Sequence, residues 1–159
     1  MASARTWLRE GRLLLIVAEG ARPDGSSTVD DLLAVDFLLQ HPSMLVGFAD
    51  LSSQSWRLWS LPSSAETESS EEALLRWKRA VGTSVVAPML GRLIARGLVS
   101  HRPPGEVLLT NRGSIVAQRL SEAFDVTHRD RITLAAVEFR DDSAGAHDRL
   151  RAVLEEHAA

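Results

Sequence analysis

The sequence predicts a mainly helical fold with one small β-hairpin, and three observations within residues 84–120 support this prediction. Gly97 ends an apolar stripe at helical spacing, formed by Val86, Met89, Leu90, Leu93, Ile94 and Leu98. A turn containing Pro103, Pro104 and Gly105 separates two short apolar runs, which predicts a hairpin of residues 98–101 and 106–109. Thr110 then precedes another amphipathic segment and is predicted to be the N-cap of a second helix.

Further helices are predicted on both sides of this stretch. Before it, the apolar pattern indicates helices at residues 6–19 and 43–51, and between them one that begins at the N-cap Thr28 and ends at Pro42. Residues 20–28 have the composition of a loop. After it, helices are predicted at residues 127–139 and 145–157. The acids at positions 30, 31 and 36 are interpreted as first-turn and surface residues.

We therefore divide the chain into four parts: N-terminal helices that pack on the core (1–51), an insert rich in Ser and Glu (52–70), a central module (71–124) and a C-terminal helical pair (125–159). The insert contains Trp56 and Trp59. It is either a flap that packs on its own domain or an anchor for a partner protein, because Trp is enriched at binding hot spots. Both tryptophans are therefore candidate partner-binding residues.

Composition limits the possible classes of protein. A chain of 159 residues suits one domain with an appendage, and the absence of Cys excludes disulfides and thiolate metal sites. No apolar run approaches the roughly 20 residues that a membrane span needs, so we expect a cytoplasmic protein without membrane contact. The net charge of −3 conceals an asymmetry, because residues 76–119 hold eight bases and one acid whereas both flanks are acidic.

The order helix, "RGLV", turn, "LTNRG", helix resembles a winged helix-turn-helix. The resemblance implies a mainly α fold with a small β-hairpin wing and flanking N- and C-terminal helices, in which residues 74–81 and 85–96 form the helix-turn-helix. Winged helices bind DNA or dock other proteins. The basic charge makes the following residues candidates for DNA binding: Arg76, Lys78, Arg79, Arg92, Arg96, Arg102 and Arg112.

The predicted helix before the wing is poorly suited to reading bases. Its face opposite the apolar stripe consists of Ala87, Pro88, Gly91, Arg92, Ala95 and Arg96. Only the two arginines can donate hydrogen bonds to base edges, so the face suits a phosphate-contacting or protein-docking surface better. Alternatively, Gly91 and Ala95 allow another helix of the same chain to pack closely.

No pattern in the sequence indicates catalysis, a metal site or a cofactor. The five histidines do not share a helix at a spacing that would place two on one metal ion. Neither a Gly-rich phosphate loop nor a nucleophile-elbow sequence is present. We therefore expect a protein that is not an enzyme and has no catalytic residues.

The order of "DLLAVDFLLQHP" (residues 31–42), "LLRWKRAVGTSVVAPMLGRLIARGLV", "LTNRG" and two closing helices resembles one group of proteins. These are the middle components of bacterial three-component ABC-type ATPase systems, related to Lamassu-like phage defence. The resemblance implies a non-catalytic accessory subunit that docks on an ABC/SMC-like ATPase together with an effector protein, and it leaves DNA contact open. The alternative is a homodimeric winged-helix transcriptional regulator that binds operator DNA.

Overall fold

The computed structural model describes residues 4–52, 56, 61 and 86–158. These residues form a mainly helical protein with a small antiparallel sheet, as the sequence predicts. In chain order the elements are α1 (Ala4–Glu19), β1 (Ser26–Thr28), α2 (Val29–Gln40), α3 (Pro42–Leu51), α4 (Ala87–Ala95), β2 (Val99–Arg102), β3 (Glu106–Leu109), α5 (Asn111–Ala123), α6 (Val126–Asp141) and α7 (Ser143–Ala158). The helix predicted at residues 74–81 lies outside the described residues.

The predicted helix ends are confirmed by their hydrogen bonds and backbone angles. Thr28 caps α2 by accepting a hydrogen bond from the backbone N–H of Asp31 at 3.2 Å. Thr110 caps α5 in the same way, with the N–H of Gly113 at 2.9 Å. Gly97 follows α4 with φ +72°, a conformation that a residue without a Cβ adopts at little cost.

The sheet has three antiparallel strands in the order β1–β3–β2. The predicted hairpin is confirmed, with Val99 opposite Leu109. β1 is a correction to the sequence prediction, because residues 26–28 were expected to belong to a loop, but Ser26 pairs with Leu108. Three residues are too few to show the alternation that identifies a strand. The third strand joins the hairpin to the segment before α2.

One hydrophobic core unites the helices, and α1 lies at its centre. Its residues 13–17 are almost completely buried in succession, because α1 packs against α2, α4, α5 and α6. At the far side, α7 packs against α3 and α6, where Phe48 stacks on Phe139 with ring centroids 5.6 Å apart. The N- and C-terminal helices therefore pack on the same core as α4 and α5.

The "LTNRG" sequence closes the junction between α4, the hairpin and α5. A Cβ atom added at Gly113 would lie 1.9 Å from the carbonyl oxygen of Leu98, so no other residue fits without backbone movement. Beside it, the Thr110 hydroxyl donates to the carbonyl oxygen of Gly97 at 2.7 Å. The motif thus joins the first turn of α5 directly to the backbone that leaves α4.

α2 and α3 are the two most apolar of the described helices and meet at a sharp bend of 114°. Pro42 begins α3, where the missing N–H of proline has no helical partner to lose. In the described part of the chain, no single helix is long and apolar enough to cross a membrane, and α2 with α3 meets those criteria only as a bent pair.

Candidate functional site

The outer face of α4 is small and open. Met89, Leu90 and Leu93 point into the core, which leaves exposed the residues Ala87, Pro88, Gly91, Ile94 and Ala95 that we name the α4 outer face. A Cβ atom added at Gly91 would meet nothing within 4 Å. Packing against the described residues therefore does not require glycine at position 91.

Arg92 and Arg96 are bound to a buried carboxylate of α1. Arg92 Nε donates to Oε1 of Glu10, and Arg96 Nη1 donates to Oε2 at 2.8 Å. The Glu10 side chain is only 2% exposed, whereas those of Arg92 and Arg96 are 43% and 35% exposed. We name these three residues the Glu10 cluster. Each carboxylate oxygen of Glu10 thus receives its own guanidinium group, and the cluster joins α1 to α4.

This pairing changes the electrostatics that the sequence predicts for α4. Two guanidinium charges face one carboxylate, so the cluster carries a net charge of one rather than two. Charge-assisted hydrogen bonds of this kind are among the stronger ones in proteins. DNA contact by Arg92 and Arg96 stays a prediction, but one nitrogen of each, Nε of Arg92 and Nη1 of Arg96, already donates to Glu10.

The remaining candidate cations have different surroundings. On the hairpin, Arg102 donates from Nε to Glu106 at 2.6 Å and lies 3.3 Å from the carboxylate of Asp24. The hydrogen bond and charge of Glu106 raise the pKa of Arg102, and those of Asp24 raise it to a smaller extent. Arg112 is exposed in the first turn of α5 and forms no ion pair with any residue that the structure describes. The candidates Arg76, Lys78 and Arg79 lie outside the described residues.

Trp56 packs on its own protein. It is partly buried against the core. Most of the insert lies outside the described residues, so the choice between a flap and a partner anchor stays a prediction. Its Nε1 is buried without a partner in hydrogen-bonding geometry, although it lies close enough to influence the Glu138 carboxylate. The other candidate partner anchor, Trp59, lies outside the described residues.

The environment of Trp56 contains a second buried glutamate, Glu138 of α6. Among the described residues, neither of its carboxylate oxygens has a partner in full hydrogen-bonding geometry, and Arg149 of α7 approaches only to 4.0 Å. Burial therefore raises the pKa of Glu138 to about 7, against the opposing effects of Arg149 and Trp56. We name Glu138, Arg149 and Trp56 the Glu138 corner.

Asp36 of α2 is buried, so the prediction that it lies on the surface is wrong. It is 1% exposed, and it is neutralised by Arg9 and Arg12 of α1, each 3.1 Å away. Gln40 donates to the same carboxylate at 2.6 Å. The acid is buried because α1 supplies two cations at the α1–α2 contact.

Asp31 is a second correction, because it too is buried rather than on the surface. Ser143 Oγ donates to its Oδ1 at 2.7 Å, and His147 Nε2 lies 2.8 Å from the same oxygen. Burial raises the pKa of Asp31, but the hydrogen bonds from His147 and Ser143 outweigh burial and lower it. Ser143 contacts the aspartate rather than the histidine, so the three residues do not form the serine–histidine–aspartate relay of a hydrolase.

Sequence reasoning missed Glu10, although one signal was present. Glu10, Leu13, Leu14 and Val17 have the spacing i, i+3, i+4 and i+7, which places an acid on the buried stripe of α1. A buried acid requires cationic partners. The sequence could have indicated that such partners exist, but it could not identify them as residues of α4.

A groove of about 530 Å³ lies away from α4, between α1 and the α5–α6 connection. Its walls include apolar Leu8 and Phe124, and the His128 ring at its rim is held by Asp125 at 2.7 Å. Across the described ranges, no group of three or more His, Cys, Asp or Glu residues is arranged to hold a metal ion.

Comparisons with protein-family models, curated proteins and solved structures found no match. The geometry of the site is therefore the basis for interpreting it. Its main features are the open α4 outer face, the Glu10 cluster beside it and the exposed Arg112 on α5.

Proposed function

We propose that this chain is a non-catalytic winged-helix subunit that docks on a larger ABC/SMC-type ATPase through the α4 outer face. The observation that carries the proposal is the Glu10 cluster. Arg92 and Arg96 are the only hydrogen-bond donors that α4 could direct at DNA bases, and a carboxylate of the same chain binds both.

The element order supports the winged-helix part of the proposal. Among the described residues, α1, β1, α2 and α3 precede α4 and the hairpin, and the short strand β1 adds to the sheet beside β3. Gly97 and Thr110 fix the path from α4 into the hairpin and out of it. The proposal assigns α4 the role of the helix that contacts DNA or a partner in winged-helix proteins.

The chemistry of the α4 outer face favours protein over DNA. Base edges are recognised by side chains that donate or accept hydrogen bonds, and Ala87, Gly91 and Ala95 can do neither. Ile94 is 41% exposed and adds apolar area to the face. Small and apolar side chains let a partner approach closely and bury its own apolar surface, which is the main source of affinity between proteins.

The resemblance in layout to the middle components of three-component ATPase systems supports the choice of partner. It covers "DLLAVDFLLQHP", which forms most of α2, and "LTNRG", which opens α5. By this resemblance the complex also contains an effector and acts in phage or plasmid defence. No residue of this chain is assigned a chemical step.

Purification of the native complex tests the proposal. A tagged chain at its natural expression level is expected to recover a large ATPase and an effector in fixed ratio. A lone monomer or dimer would overturn the proposal. Ala95→Trp, which blocks the α4 outer face, is expected to abolish recovery, whereas Ala152→Trp on the exposed side of α7 is the matched control and is expected to retain it.

The alternative regulator predicts a different result. A homodimeric regulator would select one palindromic sequence, with half-sites about one helical turn apart, from a pool of genomic DNA. The proposed docking subunit is expected to bind operator-like and random fragments with equal affinity. Selection of a single sequence by the purified chain would favour the regulator and contradict the assignment of α4.

A further inference from the structure

The Glu10 cluster has the same chemistry as an arginine–phosphate contact. A phosphate group offers guanidinium nitrogens the same anionic oxygens that Glu10 presents to Arg92 and Arg96. The two arginines are more than a third exposed on their outer sides, so DNA could reach them. Glu10 holds one nitrogen of each arginine, Nε of Arg92 and Nη1 of Arg96, so a phosphate that binds through either of these nitrogens must displace Glu10.

The contacts of the two arginines with Glu10 are more stable than contacts with a phosphate at the surface. Its side chain is 2% exposed, so departure of an arginine toward a phosphate would leave a buried carboxylate with one partner or none. Breaking an ion pair on one side is costly when it leaves a buried charge uncompensated. A phosphate contact at the protein surface recovers less than this, because salt and water screen it.

We propose that Glu10 is a specificity-determining residue that withholds Arg92 and Arg96 from nucleic-acid phosphates and so keeps α4 from binding DNA nonspecifically. The inference rests on the proposed function only in taking α4 as the contact face. It concerns Glu10 and DNA, and it does not depend on which protein partner binds.

The test is the affinity of the purified chain for a random-sequence duplex of about two helical turns. Glu10→Gln keeps the shape of the side chain, but its amide offers only one acceptor oxygen, so at least one arginine loses its partner. We expect at least a tenfold gain in affinity at about 50 mM salt. Because each neutralised phosphate contributes about 0.9 to the slope of log K against log salt, the slope should steepen by about 1–2.

Two controls separate this effect from net charge. Glu19→Gln removes the same charge from the same helix at a residue that has no ion pair within the described chain, and it is expected to leave DNA affinity within about twofold. Glu10→Gln combined with Arg92→Gln and Arg96→Gln should return the affinity to the wild-type value. An equal gain in both single variants, or no gain in folded Glu10→Gln, would overturn the proposal.

If Glu10→Gln does not fold, a measurement on the wild-type chain tests whether Glu10 withholds Arg92 from DNA. The Nε–Hε resonance of Arg92 is expected to stay unchanged when excess duplex is added, because Glu10 retains that proton. A shift of the Arg92 resonance with DNA would contradict the proposal. Both experiments use purified chain and DNA, so their failure is distinguishable from failure to find an ATPase partner.

Discussion

Two buried glutamates of this protein, Glu10 and Glu138, have opposite surroundings. Their exposed fractions are 1% and 3%. Glu10 receives one guanidinium group on each oxygen. No described residue gives Glu138 a hydrogen bond of full geometry, and Arg149 stays 4.0 Å away. The first carboxylate joins α1 to α4 beside the proposed docking face. The second lies between α6, α7 and Trp56 of the insert.

The difference shows that burial alone does not determine what an acid contributes to a protein. A buried carboxylate with complete hydrogen bonding fixes the relative position of two helices, and the loss of either partner is costly. A buried carboxylate without hydrogen bonds destabilises the folded state when it is charged. The Glu10 cluster should therefore be rigid and specific, and the Glu138 corner should respond to pH.

The largest effect is expected from Gly113→Ala. This substitution disrupts the junction between α4, the hairpin and α5, and α4 carries the arginine that pairs with Glu10. The new Cβ would overlap the carbonyl oxygen of Leu98, so we expect the free energy of unfolding to fall by about 3 kcal/mol or more. Chemical denaturation measures this loss. Gly105→Ala is the control, since a Cβ there meets nothing within 4 Å, and a change beyond about 0.5 kcal/mol at position 105 would contradict the geometric explanation.

Glu138→Gln is expected to act in the opposite direction and to stabilise the protein at pH 8. The pKa of Glu138 is about 7 in the folded chain against an ordinary value of 4.5. Between these two pH values the folded state therefore holds a proton that the unfolded state has lost. The free energy of unfolding of the wild type should therefore fall by about 3 kcal/mol between these two pH values and stay constant above them.

Denaturation of Glu138→Gln across pH 4 to 9 tests this expectation. Relative to the wild type, the fall between pH 4.5 and about 7 should be absent, because the amide does not titrate. If the variant keeps the wild-type pH dependence in that window, the decline belongs to another group and the Glu138 corner is not strained.

Glu10→Gln makes the same chemical change at the other buried glutamate, and there we expect it to destabilise the protein rather than stabilise it. We expect a loss of about 1–3 kcal/mol, since one arginine loses its acceptor but remains able to reach water. Thermal and chemical unfolding measure it, with Glu19→Gln as the near-neutral control. Stabilisation by Glu10→Gln would remove the contrast between the two glutamates.

The smallest effect is expected from Gly91→Ala on the α4 outer face. Alanine has a higher helix propensity than glycine, and a Cβ at position 91 meets nothing, so the free energy of unfolding should rise by about 0.5–1 kcal/mol. Denaturant unfolding measures the change. A loss of stability would show that a neighbouring segment covers position 91 in solution.

Local patterns predicted those parts of the fold that depend on neighbours in sequence. The Gly97 stop and the Thr28 and Thr110 caps each follow from residues within one or two helical turns. The apolar stripe of α4 does so too, except that Ile94, predicted to belong to it, is exposed. β1 was not predictable in this way, because three residues become a strand only through their pairing with β3.

The candidate site was less predictable, because its contacts join distant parts of the chain. Glu10 and Arg92 are 82 positions apart, so neither helix alone indicates their ion pair. Asp36 was expected at the surface, since its α2 context gives no hint that Arg9 and Arg12 neutralise it. Periodicity identifies the face on which a charge lies, but only the packed fold identifies its partner.

A double-mutant cycle between Glu10→Gln and Arg92→Gln tests most directly the central claim that the α4 arginines serve a carboxylate of their own chain. The free energies of unfolding of the wild type, both single variants and the double variant give the coupling energy between the two side chains. We predict a coupling of about 1 kcal/mol or more, because each residue loses its role when the other is removed. Additive effects, within about 0.3 kcal/mol, would show that Arg92 does not depend on Glu10 and would contradict the claim.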